Sequence, residues 1–222
     1  MIIDVFRHGE SESNPTAAKP KPFTADENQW IRLTHVGQLA AQGGGRMCEQ
    51  MYGPDYFGQA VLACSWTVRA IESMMRMQFG ANLYRRENGL KKSQPRDPLI
   101  MYDLCEPEHG SDDWTTPKWD WDKPFSSTGD TIAKCFMRVE HAYGRLMREA
   151  SGSSISRIII VTSGHVCRLV AQAATETGAK YWDHPKLPNP KNCEGYRICP
   201  ADKSINPILF GNGVAVEPIP GI

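Results

Sequence analysis

The sequence predicts a three-layer α/β domain, in which a mostly parallel central sheet has helices on both faces. Short runs of β-branched and apolar residues alternate along the chain with longer segments whose apolar residues recur every three or four positions. This alternation is typical of parallel strands joined by crossover helices. The 222 residues, 41% of them hydrophobic, are enough for one such domain with a sizeable core. Because the sequence shows no internal repeat and no linker, we expect residues 1–222 to form a single domain.

Five apolar runs are short enough to be strands. The first is Ile2–Phe6, and the second is Ala60–Cys64. Leu99–Tyr102 predicts a short strand, Ile158–Thr162 is the most strongly β-branched run, and Tyr196–Ile198 predicts one more short strand. Runs of this length and composition are typical of buried strands in a parallel sheet.

Four segments between these strands have the apolar spacing of helices. They are Gly37–Met51, Thr67–Gln78, Asp130–Glu149 and Val166–Thr177, and the third is the most clearly amphipathic. Three consecutive glycines at 43–45 weaken the prediction of the first helix. Each glycine inside a helix costs about 1 kcal/mol relative to alanine.

Charge and hydropathy argue against two classes of partner. Lysine plus arginine and aspartate plus glutamate both number 25, so the net charge gives no long-range attraction to nucleic acid or to an anionic membrane. The longest apolar run, Ile158–Val161, is far too short to span a bilayer. The opening segment has Asp4 and no basic residues before its apolar run, which does not fit a signal peptide. We therefore expect neither nucleic acid nor a membrane as a partner.

Cysteine usage indicates a reducing compartment. The seven cysteines are an odd number and form no CxxC pair, which argues against a zinc knuckle and against a disulfide framework. The HxH and HExxH patterns of metal sites do not occur either. We expect reduced thiols, a cytoplasmic location, and no metal or other cofactor.

Basic side chains follow three of the predicted strands. Arg7 and His8 follow the first, Arg69 follows the second, and His165 follows the strand at 158–162. Ligand sites of open parallel sheets form beyond the carboxyl ends of the strands, so these groups converge if the strands are neighbours. Guanidinium groups bind phosphate oxygens in a bidentate manner, and a histidine among them can act as a nucleophile.

Five motifs, in the same order along the chain, resemble those of the histidine phosphatase superfamily, the phosphoglycerate mutase-like proteins. The most specific is Phe6-Arg7-His8-Gly9-Glu10-Ser11-x-x-Asn14. The others, each weak alone, are Leu33-Thr34-x-x-Gly37, Ser65-x-x-x-Arg69-Ala70, Leu104-x-Glu106-x-x-x-Gly110, and Gly129-Asp130-Thr131 with Arg138-Val139. Together they cover residues 2 to about 170, and the resemblance implies the same α/β fold.

The resemblance also implies a role for each matching residue. His8 is the nucleophile that carries the phosphoryl group as phosphohistidine, and Glu106 is the general acid that protonates the leaving oxygen. Arg7 and Arg69 hold the phosphoryl oxygens, and Asn14 lies near the rim. The implied activity is hydrolysis of a small phosphorylated substrate without a metal, because the arginines supply the positive charge.

One position departs from the family pattern. The family's further phosphate ligand is a histidine directly after a strand, and the equivalent position here is Ser163, with His165 two residues later. Either His165 reaches back through the flexible Gly164 backbone, or Ser163 replaces the ligand with a neutral hydroxyl. The second alternative removes a positive group and predicts weakened catalysis.

Two other functions stay open at this stage. A phosphomutase is less favoured, because residues 86–100 lack the basic, proline-rich run that we associate with mutases. The alternative outside the enzymes is a catalytically weakened protein that only binds phosphorylated ligands.

An irregular, substrate-facing insertion is predicted around residues 106–128, where three tryptophans either stack on a sugar or base or hold the loop against the core. The sequence determines neither the substrate nor the oligomeric state, for which a homodimer is left open.

Overall fold

The computed structural model describes residues 1–14, 22–24, 26–92, 94, 96–107, 122, 130–153, 155–175 and 187–210. The predicted insertion around residues 106–128 lies almost entirely outside the described residues.

Six strands of the described residues form one sheet. They are β1 (Ile2–Arg7), β2 (Ala60–Ser65), β3 (Leu99–Met101), β4 (Arg157–Thr162), β5 (Gly195–Cys199) and β6 (Ser204–Ile208). Their order across the sheet is β3-β2-β4-β1-β5-β6. The first four strands are parallel, whereas β5 and β6 form an antiparallel pair that continues the sheet beyond β1. The mostly parallel sheet is therefore confirmed, and β6 is an additional strand.

In the part of the chain that the structure describes, four long helices cover the sheet. They are α1 (His35–Tyr52), α2 (Val68–Glu87), α3 (Ile132–Ser151) and α4 (Gly164–Thr175). One core cluster packs α3 and α4 against alternate residues of β1, such as Ile3 and Val5. The other packs α1 and α2 against the opposite face, which includes Phe6. The three-layer architecture predicted from the sequence is thereby confirmed.

The glycines of α1 allow close contact between two helices. A side chain at Gly45 would overlap with the backbone carbonyl of Met77 on α2, and one at Gly80 of α2 would overlap with the carbonyl of Gln42 on α1. The two backbones therefore touch, and the packing that this permits offsets the poor helix propensity of glycine. At Gly43, a Cβ would have no neighbour within 4 Å among the residues that the structure describes.

A buried ion network joins β1 to its neighbours. The carboxylate of Asp4 on β1 accepts two hydrogen bonds of 2.8 Å from Arg197 on β5 and one of 2.6 Å from the hydroxyl of Tyr56. Arg157 on β4 lies 3.7 Å away. A fully buried carboxylate needs such partners, because its desolvation is costly.

Within the described ranges, no helix has the length and apolarity needed to cross a bilayer.

Candidate active site

The carboxyl ends of the parallel strands surround a cavity of about 230 Å³. The strand order places β1 beside β4 and β4 beside β2, so the residues that follow these three strands become neighbours. Six of the seven site residues predicted from the sequence line the cavity: Arg7, His8, Asn14, Arg69, Glu106 and His165. The seventh, Ser163, is not among its lining residues.

His8 is held in one orientation and one tautomer. Its backbone N–H donates to the carbonyl of Thr162 on β4 at 2.8 Å. Its side-chain Nδ1 lies 2.7 Å from the carbonyl oxygen of Gly9, and because a carbonyl only accepts, Nδ1 carries the proton. Nε2 accepts a hydrogen bond of 3.1 Å from Nε of Arg69. The unprotonated ring nitrogen therefore faces the buried guanidinium.

The surroundings of His8 favour the neutral imidazole. Burial, and then the positive charges of Arg69 and Arg7, lower the pKa of His8 from 6.5 to about 3. A charged imidazolium in this position would lose its hydration and face two cations. His8 consequently has a lone pair on Nε2 at neutral pH, which is the form that a nucleophile requires.

Both arginines of the cavity are anchored by a hydrogen bond from Nη1 to a backbone carbonyl. Nη1 of Arg69 donates to the carbonyl of Asn28 at 2.5 Å, and Nη1 of Arg7 donates to the carbonyl of Pro190 at 3.0 Å. Nε of Arg7 is buried without a hydrogen-bond partner among the described residues. A buried donor of this kind is costly unless an acceptor reaches it, and a phosphoryl oxygen is such an acceptor.

Asn14 is fixed at the edge of the cavity by its own loop. Its Oδ1 accepts hydrogen bonds from the backbone N–H of Ser11 at 2.7 Å and from the Ser11 hydroxyl at 2.9 Å. With the oxygen occupied, the side-chain NH₂ is the group that remains to donate to a ligand.

The loop after β1 is seated on the start of α1 by the Leu33-Thr34-x-x-Gly37 motif. The backbone N–H of Thr34 donates to the carbonyl of Glu10 at 2.9 Å. The Thr34 hydroxyl caps α1 by accepting from the N–H of Gly37 at 3.0 Å. A side chain at Gly37 would overlap with the Glu10 backbone. The small residue therefore allows the loop that carries His8 to rest directly on the helix.

Ser73 is a positioning residue that the sequence does not reveal. Its hydroxyl accepts the backbone N–H of Gly9 at 2.9 Å and donates to the carbonyl of Arg69 at 2.7 Å. It therefore connects the loop that carries His8 to the helix turn that carries Arg69. A single serine inside an amphipathic helix gives no sequence signal of such a role.

Glu106 and His165 are in contact in the wall of the cavity. Nδ1 of His165 lies 3.4 Å from Oε1 of Glu106, and Nε2 of His165 lies 3.5 Å from Nδ2 of Asn189. Burial lowers the pKa of His165, against the opposing effect of Glu106. A Cβ at Gly164 would overlap with the side chain of Asn189 in this position. Asn189 lines this same cavity. Like Ser73, it was missed by sequence reasoning, because it follows no predicted strand.

Ser163 lies at the start of α4. Its hydroxyl is 3.5 Å from the backbone N–H of Val166 and accepts from it, which is the position of a helix N-cap. Of the two side chains that the sequence left as alternatives, His165 is the one that lines the cavity. Its function as a phosphate ligand stays a prediction.

The motif at the start of α3 forms an ion pair. Arg138 donates to both carboxylate oxygens of Asp130, at 3.0 and 3.3 Å, and Thr131 caps the helix. The first turn of α3 contacts the segment that carries Glu106, because the Cys135 thiol donates to the carbonyl of Cys105 at 3.2 Å. Among the described residues, no group of three or more histidine, cysteine, aspartate or glutamate side chains is arranged to hold a metal ion.

Comparisons with known proteins support the fold. No protein-family model matches the chain, and no curated protein sequence matches it. Among solved structures, the α-ribazole phosphatase from Shigella flexneri superposes with a TM-score of 0.63 at 18% identity, covering 98% of this chain and 100% of that one. A putative α-ribazole-5′-P phosphatase from Escherichia coli gives 0.62 at 16% identity, covering 98% and 99%.

A third solved structure, a mycobacterial glucosyl-3-phosphoglycerate phosphatase in complex with VO₃, gives a TM-score of 0.62 at 13% identity, covering 89% of this chain and 90% of that one. At such identities the likeness concerns the fold. It confirms the α/β fold implied by the resemblance to the phosphoglycerate mutase-like proteins.

Proposed function

We propose that the chain is a phosphomonoester hydrolase that works through a phosphohistidine at His8. The observation that carries this proposal is the buried, unprotonated Nε2 of His8, which faces Arg69 in a cavity that Arg7, Glu106 and His165 also line. The phosphatase names of the three structural neighbours support the same reaction class. A phosphomutase has no specific observation in its favour.

In the first step, Nε2 of His8 attacks phosphorus while the bond to the leaving oxygen breaks. Glu106 enters protonated and gives its proton to that oxygen, which departs as an alcohol. Arg7 and Arg69 hold the other phosphoryl oxygens, and the hydrogen bond of Arg69 to Nε2 is exchanged for one to the phosphoryl group. The products of this step are the alcohol and phosphohistidine.

In the second step, water attacks phosphorus and the P–N bond breaks. The Glu106 carboxylate accepts a proton from this water, so that the acid of the first step is restored. The electron pair of the P–N bond returns to Nε2, and inorganic phosphate leaves. His8 is regenerated as the neutral imidazole that its surroundings favour.

We propose that neither step requires a metal ion, because fixed guanidinium groups supply the charge that develops on the phosphoryl oxygens. Arg69 is 5% exposed, and its orientation is fixed by hydrogen bonds to His8 and Asn28. The seven cysteines all lie in the described residues and are free thiols. This agrees with a reducing compartment, and we propose the cytoplasm.

The test is to trap and locate the phosphoryl group. The protein is incubated with an aryl phosphate labelled in its phosphoryl group and quenched in base, in which phosphoramidates are stable, and the label is mapped. We expect label on His8, unchanged turnover in a chelator of divalent metals, and loss of both label and turnover in His8→Gln. The matched control is His141→Gln, because His141 is 71% exposed on α3.

Label on a serine or cysteine would contradict the mechanism. Full loss of activity in the chelator, with recovery in magnesium, would contradict the metal-independent form. If phosphate binds but neither turnover nor label is detected, the chain is a phospho-ligand binding protein instead.

A further inference from the structure

A second cavity of about 150 Å³ lies beside the first. Asn28, Arg69 and Glu106 line both cavities, so these three residues form the wall between them. The second cavity is otherwise built from the segment before α1, the turn after β2 and the residues after β3.

The position of Glu106 relates this second cavity to the proposed reaction. A general acid must contact the leaving oxygen, and in-line displacement places that oxygen on the side of phosphorus opposite the nucleophile. His8 lines the first cavity alone, whereas Glu106 lines both. The part of the substrate beyond the leaving oxygen is therefore directed past Glu106, towards the second cavity.

Aromatic side chains form one wall of the second cavity. Trp66 packs edge to face with Tyr102, with ring centroids 5.4 Å apart. Trp66 is nevertheless 43% exposed and Tyr102 40% exposed. Two large rings held against each other with this much surface accessible offer a flat apolar face to a ligand ring.

The polar groups of the second cavity favour donors over anions. Asp26 is exposed and contributes a carboxylate, and Gln29 contributes an amide. Arg69 is the one cation among the described lining residues, and it is hydrogen-bonded to His8 and Asn28. Arg138 approaches the ring of Tyr102 to 5.4 Å, but its guanidinium is paired with Asp130.

We infer that the second cavity is the leaving-group subsite, and that it selects phosphomonoesters whose leaving group is a neutral or cationic aromatic ring. This inference rests on the proposed function. The ring lies against Trp66, hydroxyl or amino donors of the ring face Asp26, and a leaving group with a carboxylate or a second phosphate is disfavoured.

Three aryl phosphates of similar size and different charge test the selection. They are the 4-(aminomethyl)phenyl, 4-ethylphenyl and 4-(carboxymethyl)phenyl phosphates, in which a methylene group separates the charge from the ring and keeps the acidity of the leaving phenols similar. We expect kcat/KM to fall in that order. Asp26→Asn should reduce the ratio between the cationic and the anionic substrate by about twofold to fivefold, because the carboxylate is exposed and screened by solvent.

Asp97→Asn is the matched control. Asp97 is exposed and precedes β3, so it lies at the amino-terminal ends of the parallel strands, whereas the site lies at their carboxyl ends. It should leave the ratio as in the wild type. Equal kcat/KM for the three substrates, or a preference for the anionic one, would overturn the inference. An unchanged ratio in Asp26→Asn would do the same.

The aromatic wall is tested with a substrate that has no ring. Trp66→Ala should lower kcat/KM for 4-ethylphenyl phosphate by about twofold to tenfold and leave that for glycerol 1-phosphate near the wild-type value, with recovery in Trp66→Phe. Equal losses on both substrates would show a structural role for Trp66 and overturn the subsite. Hydrolysis without discrimination refutes only this inference, whereas absence of phosphohistidine and of all turnover refutes the proposed function as well.

Discussion

Arg69 makes two hydrogen bonds in the site, one to His8 and one to Asn28. Nε of Arg69 donates to Nε2 of His8, while Nη1 donates to the carbonyl of Asn28. A lysine has no planar fork that reaches both acceptors and a phosphoryl oxygen together. Arg69 therefore fixes the direction of the His8 lone pair in addition to supplying charge.

The choice of leaving group distinguishes a general-acid role of Glu106 from a structural role. Glu106→Gln preserves the shape of the side chain and removes the transferable proton. We expect kcat/KM for glycerol 1-phosphate, a poor leaving group, to fall by about 100-fold to 10,000-fold, and that for 4-nitrophenyl phosphate to fall far less. Initial-rate measurements on both substrates check this. Similar losses on the two would indicate a structural role for Glu106.

His165 and Ser163 are distinguished by opposite effects on turnover and stability. His165→Ala removes a side chain that lines the cavity, and we expect a loss in kcat/KM of about a hundredfold, as for one preorganised donor. Ser163→Ala removes the cap of α4 and should cost about 1 kcal/mol of unfolding free energy with little loss of turnover. Enzyme assays and urea unfolding of both variants measure this.

The reverse pattern would show that Ser163 contacts the substrate. In that case Ser163→His combined with His165→Gly should raise activity, because it restores the spacing typical of the family.

Residues that follow strands were predictable from the sequence, whereas residues that act through the backbone were not. Arg7, His8, Arg69 and His165 were located because parallel strands bring their carboxyl ends together. Ser73 and Asn189 depend on tertiary contacts with Gly9 and His165. Such contacts have no local pattern, so only the folded structure reveals them.

At the scale of elements, the glycines of α1 provide a matched pair of substitutions. Gly43→Ala meets no neighbour within 4 Å and should raise the unfolding free energy by about 0.5–1 kcal/mol, through helix propensity alone. Gly45→Ala introduces the same methyl group against the Met77 carbonyl and should lower it by about 1–3 kcal/mol. Urea unfolding of the two variants tests the close contact of α1 with α2. Stabilisation by both substitutions would refute it.

Two elements, α2 and β6, differ from the sequence prediction, and each difference has a physical cause. The helix predicted over Thr67–Gln78 starts one residue later and runs on to Glu87, because Gly80, which weakens the sequence pattern, is the point where α2 contacts α1. β6 was missed because it contains Pro207, and an Asn-Pro pair predicts a turn. The strand lies at the edge of the sheet, where proline is tolerated because its missing N–H leaves no central ladder bond unmade.

For the whole molecule, burial of His8 predicts a dependence of stability on pH. The folded protein takes up the His8 proton only near pH 3, since its pKa is lowered to about 3, whereas the unfolded chain takes it up near pH 6.5. Protons therefore bind the unfolded state preferentially between these values, and stability is lost as the pH falls from 6.5 towards 3. We expect this group to remove about 2 kcal/mol of unfolding free energy between pH 7 and pH 5.

Urea unfolding at pH 7, 6 and 5 measures this loss. His8→Gln has no titrating group at this position, so its stability should fall by about 2 kcal/mol less than that of the wild type over the same range. The matched control His35→Gln changes an exposed histidine at the start of α1 and should retain the wild-type slope. A His8→Gln profile parallel to that of the wild type would contradict the burial of a neutral His8.

The pairing of β1 has a consequence for the order in which the molecule assembles. β1 lies between β4 and β5, with Ile2 opposite Arg157 and Ile3 opposite Ile198. The strand that leads to His8 is synthesised long before either of its neighbours, and pairings so distant in sequence close slowly. A nascent chain that ends before β5 contains His8, Arg69, Glu106 and His165, but the strand leading to His8 has one unpaired edge. The strand that leads to His8 therefore gains its second partner only after β5 has been synthesised and has paired with it.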